Sequence, residues 1–215
     1  MDEEEELRRV TSVIESLRRR SDIPVSVDTR KRAVMEAAWN AGADILNDIS
    51  ALEDAEDMAS FAADKKIPVI LMHKRGTPQD MQDRTGYDDV LAQVSSYLEQ
   101  RARAALAAGI GADKIIIDPG IGFGKGLAEN RRLIWDCGSL CGGKYPVLMA
   151  LSRKSCIGSM VGAADASDDA RLYGTLAADI IAVQRGATLL RVHDVKACRN
   201  TLDVIQSLQD CGKEG

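Results

Sequence analysis

The stretch KIIIDPGIGFGKG, residues 114–126, runs from a short apolar segment through Asp118 into a loop with glycines at 120, 122, 124 and 126. Three isoleucines bounded by Lys114 and by Pro119 predict a buried strand, and that strand ends on a carboxylate. The arrangement recurs. PVSVD (24–28), DILND (44–48), PVILMH (68–73), PVLMALS (146–152) and LLRVHD (189–194) are short, rich in Val, Ile and Leu, and edged by turn residues. Between them amphipathic stretches predict helices near 3–20, 30–41, 54–65, 88–109, 127–141 and 169–186, with a last one at 195–210. Gly42, Gly109 and Gly186 stand where helices close on glycine. Alternating strand and helix means a parallel sheet with helices outside it.

Polar residues decide between an open and a closed sheet. The apolar runs end on or near Asp28, Asn47, His73, Asp118, Lys154, Arg191 and His193. Functional groups at strand after strand converge on one mouth in a barrel, whereas a doubly wound sheet gathers them at its switch point. The expected fold is therefore α/β, a TIM-type (βα)8 barrel, here incomplete with about six strands and an extra N-terminal helix. A single domain over residues 1–215 is expected.

Composition narrows the function. A chain of 215 residues with 45% hydrophobic and 28% charged residues is an ordinary globular one, neither disordered nor a disulfide scaffold. The net charge of −5 and 4% aromatics leave neither a basic footprint nor a stacking platform for nucleic acid. The cysteines at 137, 141, 156, 198 and 211 follow no framework, which favours free thiols and a cytoplasmic setting. The opening MDEEEELRRV is too acidic for a targeting segment and reads as a helix N-terminus. No run is long enough to span a membrane, so no membrane partner is expected.

Several residues have two readings. Asp28 in SVDTR (26–30) and Asn47-Asp48 in LNDIS (46–50) are ligands or turn-formers. The loop after Asp118 is not a Walker loop, because Lys125 precedes Gly126 rather than Ser or Thr, and its glycine spacing misses the dinucleotide fingerprint. LSRKSCIG (151–158) places Lys154 and Ser155 just past a strand, as ligands or as a solvated turn. Arg191 and His193, two apart in an expected strand, point to one side and suit an anion; a satisfied core histidine is the plainer alternative for His193. Together the acceptors Asp28, Asn47 and Asp118, the cation Lys154 and the pair Arg191 and His193 fit a heterocycle with amino donors, a carbonyl and a phosphorylated tail. No serine-triad order and no HExxH occur.

In these residues the chain resembles the dihydropteroate synthases, from about residue 3 to the end. SVDT, AGADILND, VILMH, GTPQDMQ followed by YDDV, DPGIGFGK, SRKSCIG, RLYGTLA (171–177) and RVHDV run in the family's order. The resemblance implies a barrel that condenses 6-hydroxymethyl-7,8-dihydropterin pyrophosphate with p-aminobenzoate, giving 7,8-dihydropteroate and pyrophosphate for folate synthesis. It implies that Asp28, Asn47, Asp118 and Lys154 hold the pterin and that Arg191 and His193 bind the pyrophosphate. Lys154, Arg191 and His193 become the catalytic set, and Phe123 and Ser155 border p-aminobenzoate. Mg2+ is expected to arrive with the pyrophosphate, and no residue here is assigned as its ligand. Arg171 and its helix resemble the family's dimer-forming region, implying a homodimer. The family's first two strands have no counterpart in these residues, Lys74 follows His73 where methionine is common, and Thr85-Gly86 takes a place often held by proline. A catalytically silent pterin-binding module and a relative of the methyltetrahydrofolate-dependent methyltransferases are the alternatives.

Overall fold

The protein is described by a computed structural model over residues 2–76, 86–162 and 167–211. Its chain divides into two compact units, Met1–His73 with Ser96–Asp118, and Lys74–Ser95 with Pro119–Gly215.

The first unit opens with α1 (Glu3–Arg18), whose start is built by charge. Asp2 Oδ1 accepts the Glu5 N–H at 2.8 Å, and Glu3 to Glu6 fill the first turn, where the helix dipole favours anions. Glu6 then binds Lys31 at 2.8 Å and accepts from Thr29 Oγ1 at 2.8 Å, tying the helix to the loop after β1 (Ser26–Asp28). The chain continues through α2 (Arg32–Asn40), β2 (Ile45–Asp48), α3 (Met58–Asp64), β3 (Val69–Met72), α4 (Val90–Ala107) and β4 (Ile115–Asp118), with α4 belonging to this unit from Ser96 on. The four strands form one parallel sheet in the order β1-β2-β3-β4. Met35, Leu46, Met58, Leu71, Leu98 and Ile117 are fully buried in the core of this unit. After α2 the chain turns at Gly42, φ +108°, where a Cβ would fall 2.9 Å from the Arg18 side chain. Arg18 occupies that space because it donates to the Gly42 and Ile23 carbonyls, both at 2.7 Å, and pairs with Asp44.

The second unit contains α5 (Leu127–Trp135), β5 (Leu148–Met149), α6 (Ser155–Met160), α7 (Asp168–Gln184), β6 (Leu189–Leu190) and α8 (Val195–Cys211). β5 and β6 pair in parallel, Leu148 with Leu189 and Met149 with Leu190. Ile121, Leu133, Leu140 and Met149 fill the core. Ser167 caps α7 by accepting the Ala170 N–H at 3.2 Å.

All six expected strands are present, and each is shorter than the apolar run that announced it. Two expectations are corrected. β6 stops at Leu190, so Arg191 and His193 lie beyond the strand and strand alternation does not govern them. The helix expected over 127–141 ends at Trp135, and a 3₁₀ stretch follows in which Cys141 and Gly142 have positive φ. The loop motif around 77–85, with Thr85, lies outside the described residues. Five free cysteines are present, with Cys137, Cys141, Cys156 and Cys198 buried and Cys211 exposed. No helix among the described residues is long and apolar enough to cross a membrane.

Candidate active site

In the first unit the parallel arrangement brings the polar strand ends to one edge of the sheet. Asp28 and Asn47 are register partners, and Asn47 Nδ2 donates to Asp28 Oδ2 at 2.9 Å. Asn47 is buried while Asp28 is exposed, so the amide orients a carboxylate that solvent and ligands can reach. Asp118 ends β4 at 3% exposure, and its carbonyl accepts the His73 N–H at 2.9 Å, extending the β3–β4 pairing by one residue. His73 is buried, with its ring edge-on to Tyr97 at a centroid distance of 5.0 Å.

The two readings of Asn47-Asp48 both hold, one for each residue. Successive side chains leave a strand on opposite faces. Asp48 is buried and accepts from Ser50 N at 2.7 Å, Ser50 Oγ at 2.6 Å and Leu52 N at 3.0 Å. It stabilises a turn in which Ala51 and Leu52 adopt positive φ, costly for residues with a Cβ. Burial raises its pKa, and these hydrogen bonds oppose the rise.

In the second unit the glycine-rich loop is closed on itself. Lys125, 3% exposed, donates to the Gly120 and Phe123 carbonyls, both at 2.9 Å. Asn130 accepts the Gly122 N–H at 2.8 Å and donates to the Lys125 and Gly126 carbonyls at 3.0 and 2.8 Å. Gly124, at φ +65°, could not carry a Cβ, which would lie 2.5 Å from the Arg75 carbonyl oxygen. Neither Lys125 nor the Gly122 amide is thus left to cradle a phosphate. The loop instead presents Phe123. Lys154 lies over that ring, 5.0 Å from its centroid, and donates to the Ile121 carbonyl. Ser155, exposed, begins α6 directly after Lys154.

The ends of β5 and β6 meet through side chains where the ladder stops. The Arg191 N–H donates to the Met149 carbonyl at 2.9 Å. Beyond it, Ser152 Oγ accepts the His193 N–H at 3.1 Å and lies 2.8 Å from His193 Nδ1. Arg153 then forms a two-pronged pair with Asp194 at 2.9 and 2.8 Å. That guanidinium holds the Asp194 carboxyl below its ordinary range. Arg191 and His193 are exposed, so the core-histidine alternative fails. His193, Lys196 and the first turn of α8 line one cleft.

The structure thus gathers Asp28, Asn47 and Asp118 in one unit, and Phe123, Lys154, Ser155, Arg191 and His193 in the other. Sequence reasoning missed the roles of Ser152, Arg153 and Asp194; the polarity of Ser152 and Arg153 beside the apolar run 146–151 was the available signal. Among the described residues no group of three or more His, Cys, Asp or Glu could hold a metal ion.

Known proteins place the chain in a family. The profile of the pterin-binding enzyme family matches residues 1–193. Dihydropteroate synthase of Haemophilus influenzae is 42% identical over 205 residues, covering 95% of this chain and 73% of that protein. Among solved structures, Xanthomonas albilineans dihydropteroate synthase with 4-aminobenzoic acid superposes with a TM-score of 0.89 at 45% identity, covering 97% of this chain and 73% of that one. The same enzyme in complex with 7,8-dihydropteroate gives 0.89 at 44%, covering 97% and 76%. Those structures share the barrel architecture expected from the strand ends. The chain belongs to the pterin-binding enzyme family, among the dihydropteroate synthases.

Proposed function

We propose that the chain condenses 6-hydroxymethyl-7,8-dihydropterin pyrophosphate with p-aminobenzoate, giving 7,8-dihydropteroate and pyrophosphate. One observation carries the reading: a solvent-facing carboxylate oriented by an amide, Asp28 and Asn47, on the same sheet edge as the buried carboxylate Asp118. Such acceptors suit the amino and ring N–H donors of a pterin, and Lys154 suits its carbonyl and ring nitrogen. Arg191 and His193 suit the pyrophosphate, and the N-terminal turn of α8 lines a cleft with His193. The Arg153–Asp194 pair supports this role, because it offsets the Asp194 carboxylate, which would repel an anion beside His193.

In this reading the bond between the pterin methylene carbon and the pyrophosphate oxygen breaks first. Arg191 and His193 take up charge developing on the leaving group, while the carboxylates tolerate positive charge spreading over the pterin. The amine nitrogen of p-aminobenzoate, bordered by Phe123 and Ser155, forms the new bond to carbon and releases one proton. Magnesium belongs to the substrate's pyrophosphate here, and no step is assigned to it. Five free thiols fit a cytoplasmic setting. A homodimer fits the outer surface of α7 and α8, where Tyr173, Val204 and Leu208 are exposed.

The deciding experiment is a thermal melt with and without the dihydropterin pyrophosphate and magnesium, followed by an assay for dihydropteroate. A ligand-raised transition with product formation supports the enzyme. A ligand-raised transition without product identifies a silent pterin binder, and no shift at all overturns the pterin reading.

A further inference from the structure

Ser152 is 8% exposed, so its hydroxyl is largely withdrawn from water and finds its partners within the protein. Its oxygen already accepts the His193 N–H at 3.1 Å. Among the described residues the acceptor within reach of its proton is His193 Nδ1, at 2.8 Å. An O–H donating to Nδ1 requires that nitrogen to be bare, and in a neutral imidazole the proton then sits on Nε2. If the ring is protonated, the hydroxyl can rotate and accept from Nδ1–H instead. Nε2 remains a donor in both charge states.

The surroundings hold the ring against reorientation. Ser152 grips His193, and the next residue, Arg153, grips Asp194, so two consecutive residues after β5 fasten two consecutive residues after β6. Arg153 has φ +55°, a conformation that an L-residue adopts only under constraint, and its N–H donates to Thr175 Oγ1 at 3.0 Å. The clamp continues the β5–β6 register with side chains after the backbone ladder has ended.

We infer that Ser152 is a positioning residue that keeps a proton on His193 Nε2, making that nitrogen a fixed donor to the pyrophosphate. The anion part of this inference rests on the function proposed above; the tautomer stands on the geometry alone.

The test uses the full chain labelled with ¹⁵N. It has two histidines, His73 and His193, so its long-range imidazole spectrum holds two ring systems, and His193→Gln assigns them. The expected neutral His193 carries its proton on Nε2, with Nδ1 at the shift of a hydrogen-bonded acceptor. Ser152→Ala moves Nδ1 to the shift of an unbonded acceptor and weakens inorganic pyrophosphate binding about tenfold. Ser152→Thr, which keeps the hydroxyl, restores both. A proton found on Nδ1 of the neutral ring in the wild type overturns the inference, whatever the variants do. So does a Ser152→Ala protein with unchanged Nδ1 shift and affinity. If Nε2–H is confirmed but His193→Gln binds pyrophosphate as well as wild type, the anion role is overturned and the tautomer is upheld.

Discussion

The Cys198 thiol of α8 donates to the Asp179 carboxyl of α7 at 3.8 Å, and Asp179 Oδ1 has no hydrogen-bond partner among the described residues. Asp179 is 1% exposed, and burial pushes its pKa up to about 7, with the thiol pulling weakly the other way. The folded state therefore holds this proton more tightly than the unfolded chain, whose carboxyl titrates near 3.8. The contribution to stability is complete below 3.8 and is lost as the pH rises through about 7. Asp179→Asn imitates the protonated form. Its stability relative to wild type, followed by thermal melts, should be level at acid pH and climb with pH to a plateau above neutrality, the gain not exceeding about 4 kcal/mol. A pH-independent difference between the two proteins would show that Asp179 does not titrate in this range.

Asp118→Ala should weaken pterin binding by at least about 100-fold, since in the proposed site this buried carboxylate serves two pterin donors and its removal leaves both unpaired. Calorimetric titration with a bare pterin reads the loss. An unchanged affinity would remove Asp118 from the pterin site.

Arg191→Ala should weaken binding of the pyrophosphate-bearing pterin about tenfold or more while leaving the bare pterin within about twofold. Parallel titrations of the two ligands give the ratio. Equal losses would mean that Arg191 does not hold the anion.

Asn130→Ala tests whether the glycine-rich loop is a built object. Asn130 is 2% exposed and makes three hydrogen bonds to the backbone of that loop. Its removal should cost about 2–3 kcal/mol and lower the melting temperature by roughly 5–10 °C. A melt within a degree or so of wild type would show that the loop holds its shape without the amide.

Strand order and strand-end chemistry were legible because both follow from one-dimensional signals. Apolar runs that end on Asp28, Asn47 and Asp118 need only a parallel sheet to align them. What sequence could not supply was the fate of individual polar groups. Asn47 and Asp48 are chemically alike neighbours, and only the pleat sends one to a ligand-facing carboxylate and the other into a turn. Arg191 and His193 share a side by alternation only if the strand persists, and β6 ends at Leu190. The loop after Asp118 carries glycines and a lysine as a phosphate site does, yet Lys125 and Asn130 bind its own backbone. Asp179 is a single acid in the otherwise apolar LAADIIAV, where periodicity alone does not mark a buried, half-satisfied carboxyl.

The distribution of cysteines gives the chain a built-in reporter. With Cys211 exposed and the other four thiols enclosed, an alkylating reagent meets one sulfur on the native protein and five on the unfolded one. Burial also raises the pKa of Cys137, Cys156 and Cys198, which suppresses the thiolate that such reagents attack. The mass added per chain in a brief labelling pulse therefore counts open molecules directly. Because Cys198 lies between α7 and α8 while Cys137 and Cys141 follow α5, the order in which they gain mass tells which helix loosens first.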